Sequence, residues 1–118
     1  MPQELRVRVI ISSSSEEVLG WKCINLQDMN LEVHVINQGR DLVRIKSQME
    51  LVGNGEAEKV DYFFPYGLHP LGPGQGLSFY CHFEEDRFKR FTGIIIEDDT
   101  GNHYQAPITG RSEPARRL

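Results

Sequence analysis

The residues of this sequence best suited to chemistry are four histidines, two cysteines and a run of acids near its end, and their spacing limits what they can do together. His34 and His82 take outward positions in alternating runs, His69 lies in a proline-rich stretch, and His103 follows a turn. None forms an H-x-H or H-x-x-x-H pair, so a metal centre would need ligands gathered by the fold, a cross-strand His34/His82 pair being the one candidate. Cys23 and Cys81 are too few and too distant for a zinc site and sit in apolar runs, where a free thiol acts as a small hydrophobe; a disulfide between them is the alternative. Glu97-Asp98-Asp99 with Asn102 concentrates oxygen ligands, but lacks the alternating spacing and closing Glu of a calcium loop and equally suits a hairpin turn. Ser12 to Ser15 have no neighbouring base, and Gly72-Pro73-Gly74-Gln75-Gly76 has no Lys-Ser/Thr sequel for cradling phosphate. The expectation is a protein with no cofactor, no metal and no enzymatic activity.

The least ordinary segment is Tyr62-Phe63-Phe64-Pro65-Tyr66, four aromatics around a proline that ends ladder pairing. Alternation buries only half of such a run. Rings left outside beside the Pro70-to-Gly76 loop would suit a protein partner or self-association, because rigid aromatics dominate interface hot spots. Phe63, Tyr66 and His69 are the expected binding residues.

These side chains must be held by strands, since period-two alternation runs through the chain and the helical period is nearly absent. Val43, Ile45, Ser47, Met49 and Leu51 share one face, with Arg44, Lys46, Gln48 and Glu50 on the other, and Ser47 interrupts the apolar side. Leu5, Val7, Val9 and Ile11 alternate likewise, as do Leu31, Val33 and Val35, and then Leu77, Phe79, Cys81 and Phe83. Ile94-Ile95-Ile96 suits a strand buried on both faces. Turns are marked by Asn37-Gln-Gly39, Gly53-Asn54-Gly55, Pro70-Leu-Gly-Pro-Gly74 and Asp98-Asp-Thr-Gly101-Asn102. Seven or eight short strands so joined pair antiparallel and close into a sandwich or barrel, the sandwich preferred. Residues 84–90 have the charge order of a short helix, acids before bases, with Phe88 as its anchor. Residues 1–108 read as a single β-sandwich domain and 109–118 as a flexible C-terminal tail.

With 118 residues the chain supports one core without staples. Its 13 basic against 17 acidic side chains give a net charge of −4, which disfavours nucleic acid. No apolar run approaches the roughly 20 residues of a spanning helix, and the start has no apolar signal core, so a cytoplasmic protein without a membrane span is expected.

Val33-His-Val-Ile-Asn37-Gln-Gly39-Arg40, then Leu71-Gly-Pro73-Gly74, then Ile96-Glu-Asp98-Asp-Thr-Gly101-Asn-His-Tyr104 resembles bacterial immunoglobulin-like β-sandwich modules. Their layout is a strand ending in N-x-G, a proline-glycine turn and a final D-x-T-G hairpin. The resemblance covers about residues 31–108 and implies an antiparallel β-sandwich in an adhesive, spacer or interaction domain, with no catalytic residues. The chain departs from antibody domains in placing Trp21 before Cys23 and Phe79 two residues before Cys81. Arg40 and Arg44 have the R-x-x-x-R spacing of cyclic-dinucleotide-binding PilZ barrels, but the D/N-x-S-x-x-G turn that accompanies it there is absent. Two functions stay open: a non-enzymatic immunoglobulin-like interaction module, preferred, and a small-ligand or metal-binding β-domain.

Overall fold

Alternating side chains become strands because a pleated chain sends successive residues to opposite faces, so one face can be buried while the other stays in water. A computed structural model describes residues 5–13, 17–18, 21–22, 28–61, 63–84 and 91–118. Within them the chain is all β: β1 (Leu5–Ser13), β2 (Glu17–Val18), β3 (Trp21–Lys22), β4 (Asp28–Asn37), β5 (Val43–Gly53), β6 (Glu56–Val60), β7 (Leu68–Leu71), β8 (Gly76–Glu84), β9 (Gly93–Asp98), β10 (His103–Pro107) and β11 (Glu113–Arg117). Cys23, Tyr62 and the helix expected near 84–90 lie outside the described residues, apart from Glu84, which ends β8. No helix among the described residues is long and apolar enough to cross a membrane.

The main sheet is antiparallel, in the order β6-β5-β9-β10-β11-β1-β4-β8, with β7 on the same strand β5; β2 and β3 form a separate two-stranded ribbon. It curls into a half-barrel around one core. Register builds that core in rows: Val9, Val33 and Phe79 are successive partners across β1, β4 and β8, as are Val7, Val35 and Leu77 one row along. From the other strands come Ile45, Met49 and Leu51, then Ile94 and Ile96, then Tyr104 and Ala106, all buried. Burying an aliphatic side chain of this kind contributes about 1.5–3 kcal/mol, so these rows carry most of the hydrophobic stabilisation.

Two expectations change. Ile95 is only half-buried, because the run keeps strict alternation: Ile94 and Ile96 face the core and Ile95 faces out beside Glu50 and Gln105. The expected tail is a strand. β11 pairs with β1 through Leu5 and Ala115 and with β10 through Gln105 and Arg116, and so joins the two portions of the sheet. Its sequence is nearly all polar because only Ala115 packs on the core; backbone pairing, to which hydropathy is blind, holds the rest.

The N-x-G and proline-glycine turns are tied to each other. Asn37 is fully buried, yet its Nδ2 donates to the carbonyls of Asp41 and Leu71, both at 2.8 Å, and its Oδ1 accepts from Gly39 N at 2.9 Å. Its backbone N–H donates to Gln75 O, and Gly74 N donates back to Asn37 O. Every polar atom of this buried side chain is satisfied, which a buried amide requires. The end of β4 is thereby fixed against the turn leading into β8.

Candidate functional site: the aromatic segment between β6 and β7

The segment from Phe63 to His69 is anchored on both sides of the curled sheet. Phe64 and Tyr80 exchange backbone hydrogen bonds, N to O at 2.8 Å one way and 2.7 Å the other, so the segment leans on the outer edge of β8. Four residues later the chain enters β7 and pairs with β5, Leu68 opposite Lys46 and His69 opposite Ile45. Between these anchors Ser47 N donates to Gly67 O at 3.1 Å, and Gly67 N donates to Ser47 Oγ at 3.0 Å. The hydroxyl that interrupts the apolar face of β5 is therefore the partner of this loop. Gly67 has φ of +108°, a conformation that costs a residue with a side chain about 1–3 kcal/mol. The His69 ring packs edge-on to Phe79 with centroids 5.4 Å apart, and its Nε2 lies 2.8 Å from Pro65 O.

These anchors decide which rings are buried. Cross-strand partners share a face, and since Phe79 and Cys81 point into the core, Tyr80 points out. Phe64, opposite Tyr80, therefore points out and Phe63 points in. Phe63 has no exposed surface; it is a core residue and not the expected binding residue. Tyr66 is 61% exposed, as the sequence suggests for one ring of the run. His69, opposite the buried Ile45, is half-buried and helps hold the loop.

Two outward side chains were not singled out from sequence, Phe64 at 37% and Leu68 at 47% exposure. Alternation cannot be phased through a five-residue segment containing a proline. The usable signal was Ser47, since a hydroxyl on a buried face demands a backbone partner nearby. Phe64 and Tyr66 meet edge to face with centroids 6.0 Å apart. Beside Leu68 a cleft of about 450 Å³ is lined by Lys46, Ser47, Gln48, Gly67, Leu68 and Asp99. The charges at its rim are engaged: Lys46 Nζ meets Glu97 Oε2 at 3.2 Å, and Arg44 lies 3.7 Å from Asp99.

The remaining candidates have structural partners. Asp98 is 3% exposed, and its Oδ1 accepts from Thr100 N, Thr100 Oγ1 and Asn102 N while its Oδ2 accepts from Asn102 Nδ2 and Tyr104 Oη, at 2.8 to 3.1 Å. A carboxylate ringed by N–H and O–H donors anchors a hairpin; a cation would meet the hydrogens first. Burial opposes ionisation of Asp98, but the hydrogen bonds from Thr100, Asn102 and Tyr104 together outweigh it and hold the carboxyl below the usual range. Burial, the Asp98 hydrogen bond and its charge push the Tyr104 hydroxyl up to about 12.

His34 lies opposite Ser78 and His82 opposite Asn30, so the two do not form a cross-strand pair. His103 Nε2 is 3.9 Å from Glu97. Cys81 is a free, buried thiol, pushed up by burial and so held in its unreactive protonated form. Among the described residues no group of three metal-ligating side chains converges.

Set against known proteins, the chain matches no family model, no curated protein and no solved structure.

Proposed function

We propose that this chain is a non-enzymatic immunoglobulin-like module that docks an apolar segment of a protein partner on Phe64, Tyr66 and Leu68. The observation that carries the proposal is the exposure of three large apolar side chains within five residues of a backbone tied down at Phe64, Gly67 and β7. Such a patch has little entropy left to lose. Its side chains expose enough surface for a partner to gain about 1–2 kcal/mol from each, and aromatic anchors on fixed backbone are where interface energy concentrates. The neighbouring cleft offers room for one bulky apolar side chain of that partner, with Lys46 and Asp99 at its rim.

The immunoglobulin-like reading draws support from strand order. β4 lies between β1 and β8, β5 between β6 and β9, and β9 beside β10; antibody-type sandwiches pair A, B and E in one sheet and C, F and G in the other. The connections from β4 to β5 and from β8 to β9 each cross between those portions. Of the residues that carry the resemblance, Asn37 bonds the end of β4 to the Leu71-to-Gly74 turn at the first of these crossings, and Asp98 fixes the last hairpin.

The test is selection of a random displayed peptide library on the folded protein, after depletion on a Tyr66→Ser, Leu68→Ser variant. Recovered peptides should share a bulky apolar residue and bind the variant at least about tenfold more weakly, the loss of about 1.4 kcal/mol. Recovery of no binder, or of peptides that bind both proteins alike, overturns the proposal.

A further inference from the structure

A basic feature separate from the aromatic segment lies where β1 meets the turn before β11. Arg6 and Arg8 occupy the outward phase of β1, between the buried Leu5, Val7 and Val9. Both reach over the 109–112 turn. Arg6 Nε donates to Ser112 Oγ at 3.1 Å and its Nη2 to Ser112 O at 2.8 Å, and Arg8 Nε donates to Gly110 O at 3.1 Å. The turn itself is closed by Thr109 Oγ1, which accepts from Arg111 N and donates to Glu113 Oε1. Arg111 stands at its exposed tip.

Arg6 and Arg8 thus lie over a turn whose tip carries the exposed Arg111, and among the described residues none of the three has a carboxylate partner. Two acids stand nearby, Glu113, which accepts from Thr109 Oγ1, and Glu32, opposite Ile10, which accepts from Ser78 Oγ at 3.2 Å; both keep their charge, and three guanidinium groups outnumber them. Neutral carbonyls orient Arg6 and Arg8 without cancelling their charge. Among the described residues most of the N–H donors on their η nitrogens have no partner, in a fork whose geometry matches an oxyanion. On a chain of net charge −4 this is a local reversal of sign.

We infer that Arg6, Arg8 and Arg111 form an anion-recognition site for the carboxylates of an acidic peptide segment on a protein partner. Nucleic acid is the poorer fit, because its phosphates run on past three arginines and meet the repulsion of an acidic protein, whereas a short acidic segment ends where the basic surface ends.

The experiment is fluorescence anisotropy of labelled hexaglutamate at low ionic strength, with the wild-type chain and the variants Arg111→Gln, Arg8→Gln and Arg40→Gln, each checked for folding by circular dichroism. Binding should saturate, weaken with added salt, and fall by about fivefold or more in Arg111→Gln and Arg8→Gln while Arg40→Gln stays within about twofold. Among the described residues the Arg111 side chain donates no hydrogen bond, so its replacement tests the site even where Arg8→Gln loosens the turn. No saturable binding, or equal loss in Arg40→Gln, overturns the inference. Tighter binding of a six-residue oligothymidylate that depends on Arg111 also overturns it, in favour of nucleic acid.

Discussion

Replacing Asp98 by Ala should lower the melting temperature by roughly 12–28 °C at neutral pH. The carboxylate accepts five hydrogen bonds within the 98–104 hairpin. Donors on Thr100 and Asn102 are near solvent and recover water when it is lost, at a net cost of about 0.5–1 kcal/mol each, but Tyr104 is fully buried and its hydroxyl would be stranded at about 1–3 kcal/mol. The sum over the four outer donors and the tyrosine is about 3–7 kcal/mol. An unfolding entropy of about 2.1 cal/mol/K per residue over the whole chain makes each kcal/mol worth about 4 °C.

Tyr104→Phe removes one donor and leaves four on Asp98, so about 1–2 kcal/mol and roughly 4–8 °C are expected. Protonation gives an independent handle. Because the folded state holds the Asp98 carboxyl below its unfolded value of 3.8, its contribution is complete above that pH and is lost as pH falls through the folded value. The gap between wild type and Asp98→Ala should therefore narrow on acidification. Tyr104, pushed up to about 12 from 10.0, has the opposite sign: its contribution is complete below pH 10.0 and is lost as pH rises to about 12. Thermal melts followed by circular dichroism across pH read both effects. An Asp98→Ala variant melting within about 3 °C of wild type, or a gap that does not change with pH, would show that the Asp98 carboxylate does not hold this hairpin.

Phe63→Ala should cost about 3–5 kcal/mol, because the ring is fully buried, whereas Tyr66→Ser should move the denaturation midpoint by no more than about 0.5 kcal/mol; urea titration compares the two. Cys81 should resist a thiol reagent in the native protein and react at once in denaturant, so native-state labelling of Cys81, located by mass spectrometry, would contradict its burial. Deleting residues 113–118 should lower the melting temperature by more than about 10 °C, since β11 is the pairing partner of both β1 and β10; an unchanged melting curve would mean that this strand adds nothing.

The strand framework was legible because burial on one face leaves a period-two record: Val43, Ile45, Met49 and Leu51 are buried in the phase that alternation assigns, as are Val33, Val35, Phe79 and Cys81. β11 was not legible, because Glu-Pro-Ala-Arg-Arg makes backbone pairs and one small core contact, which leave no hydrophobic trace. The three turns that carry the family resemblance were legible as turns. Their wider role was not, since the bond from Asn37 to Leu71 joins residues far apart in the chain. In the aromatic segment composition marked the place and missed the phase. One pair of hydrogen bonds, Phe64 to Tyr80, sets Phe63 inward and Phe64 outward, and it depends on where β8 lies.

Amide chemical-shift mapping of the isotope-labelled chain, titrated with the small apolar probes phenol and isobutanol, shows whether Phe64, Tyr66 and Leu68 form a docking surface. Anchored apolar surface binds such probes weakly but locally, whatever the natural partner is. Shifts concentrated on the amides of Ser47, Tyr66, Gly67 and Leu68, and abolished in the Tyr66→Ser, Leu68→Ser variant, are the predicted result. Shifts that scatter evenly over the surface, or that gather elsewhere and persist in the variant, would contradict it.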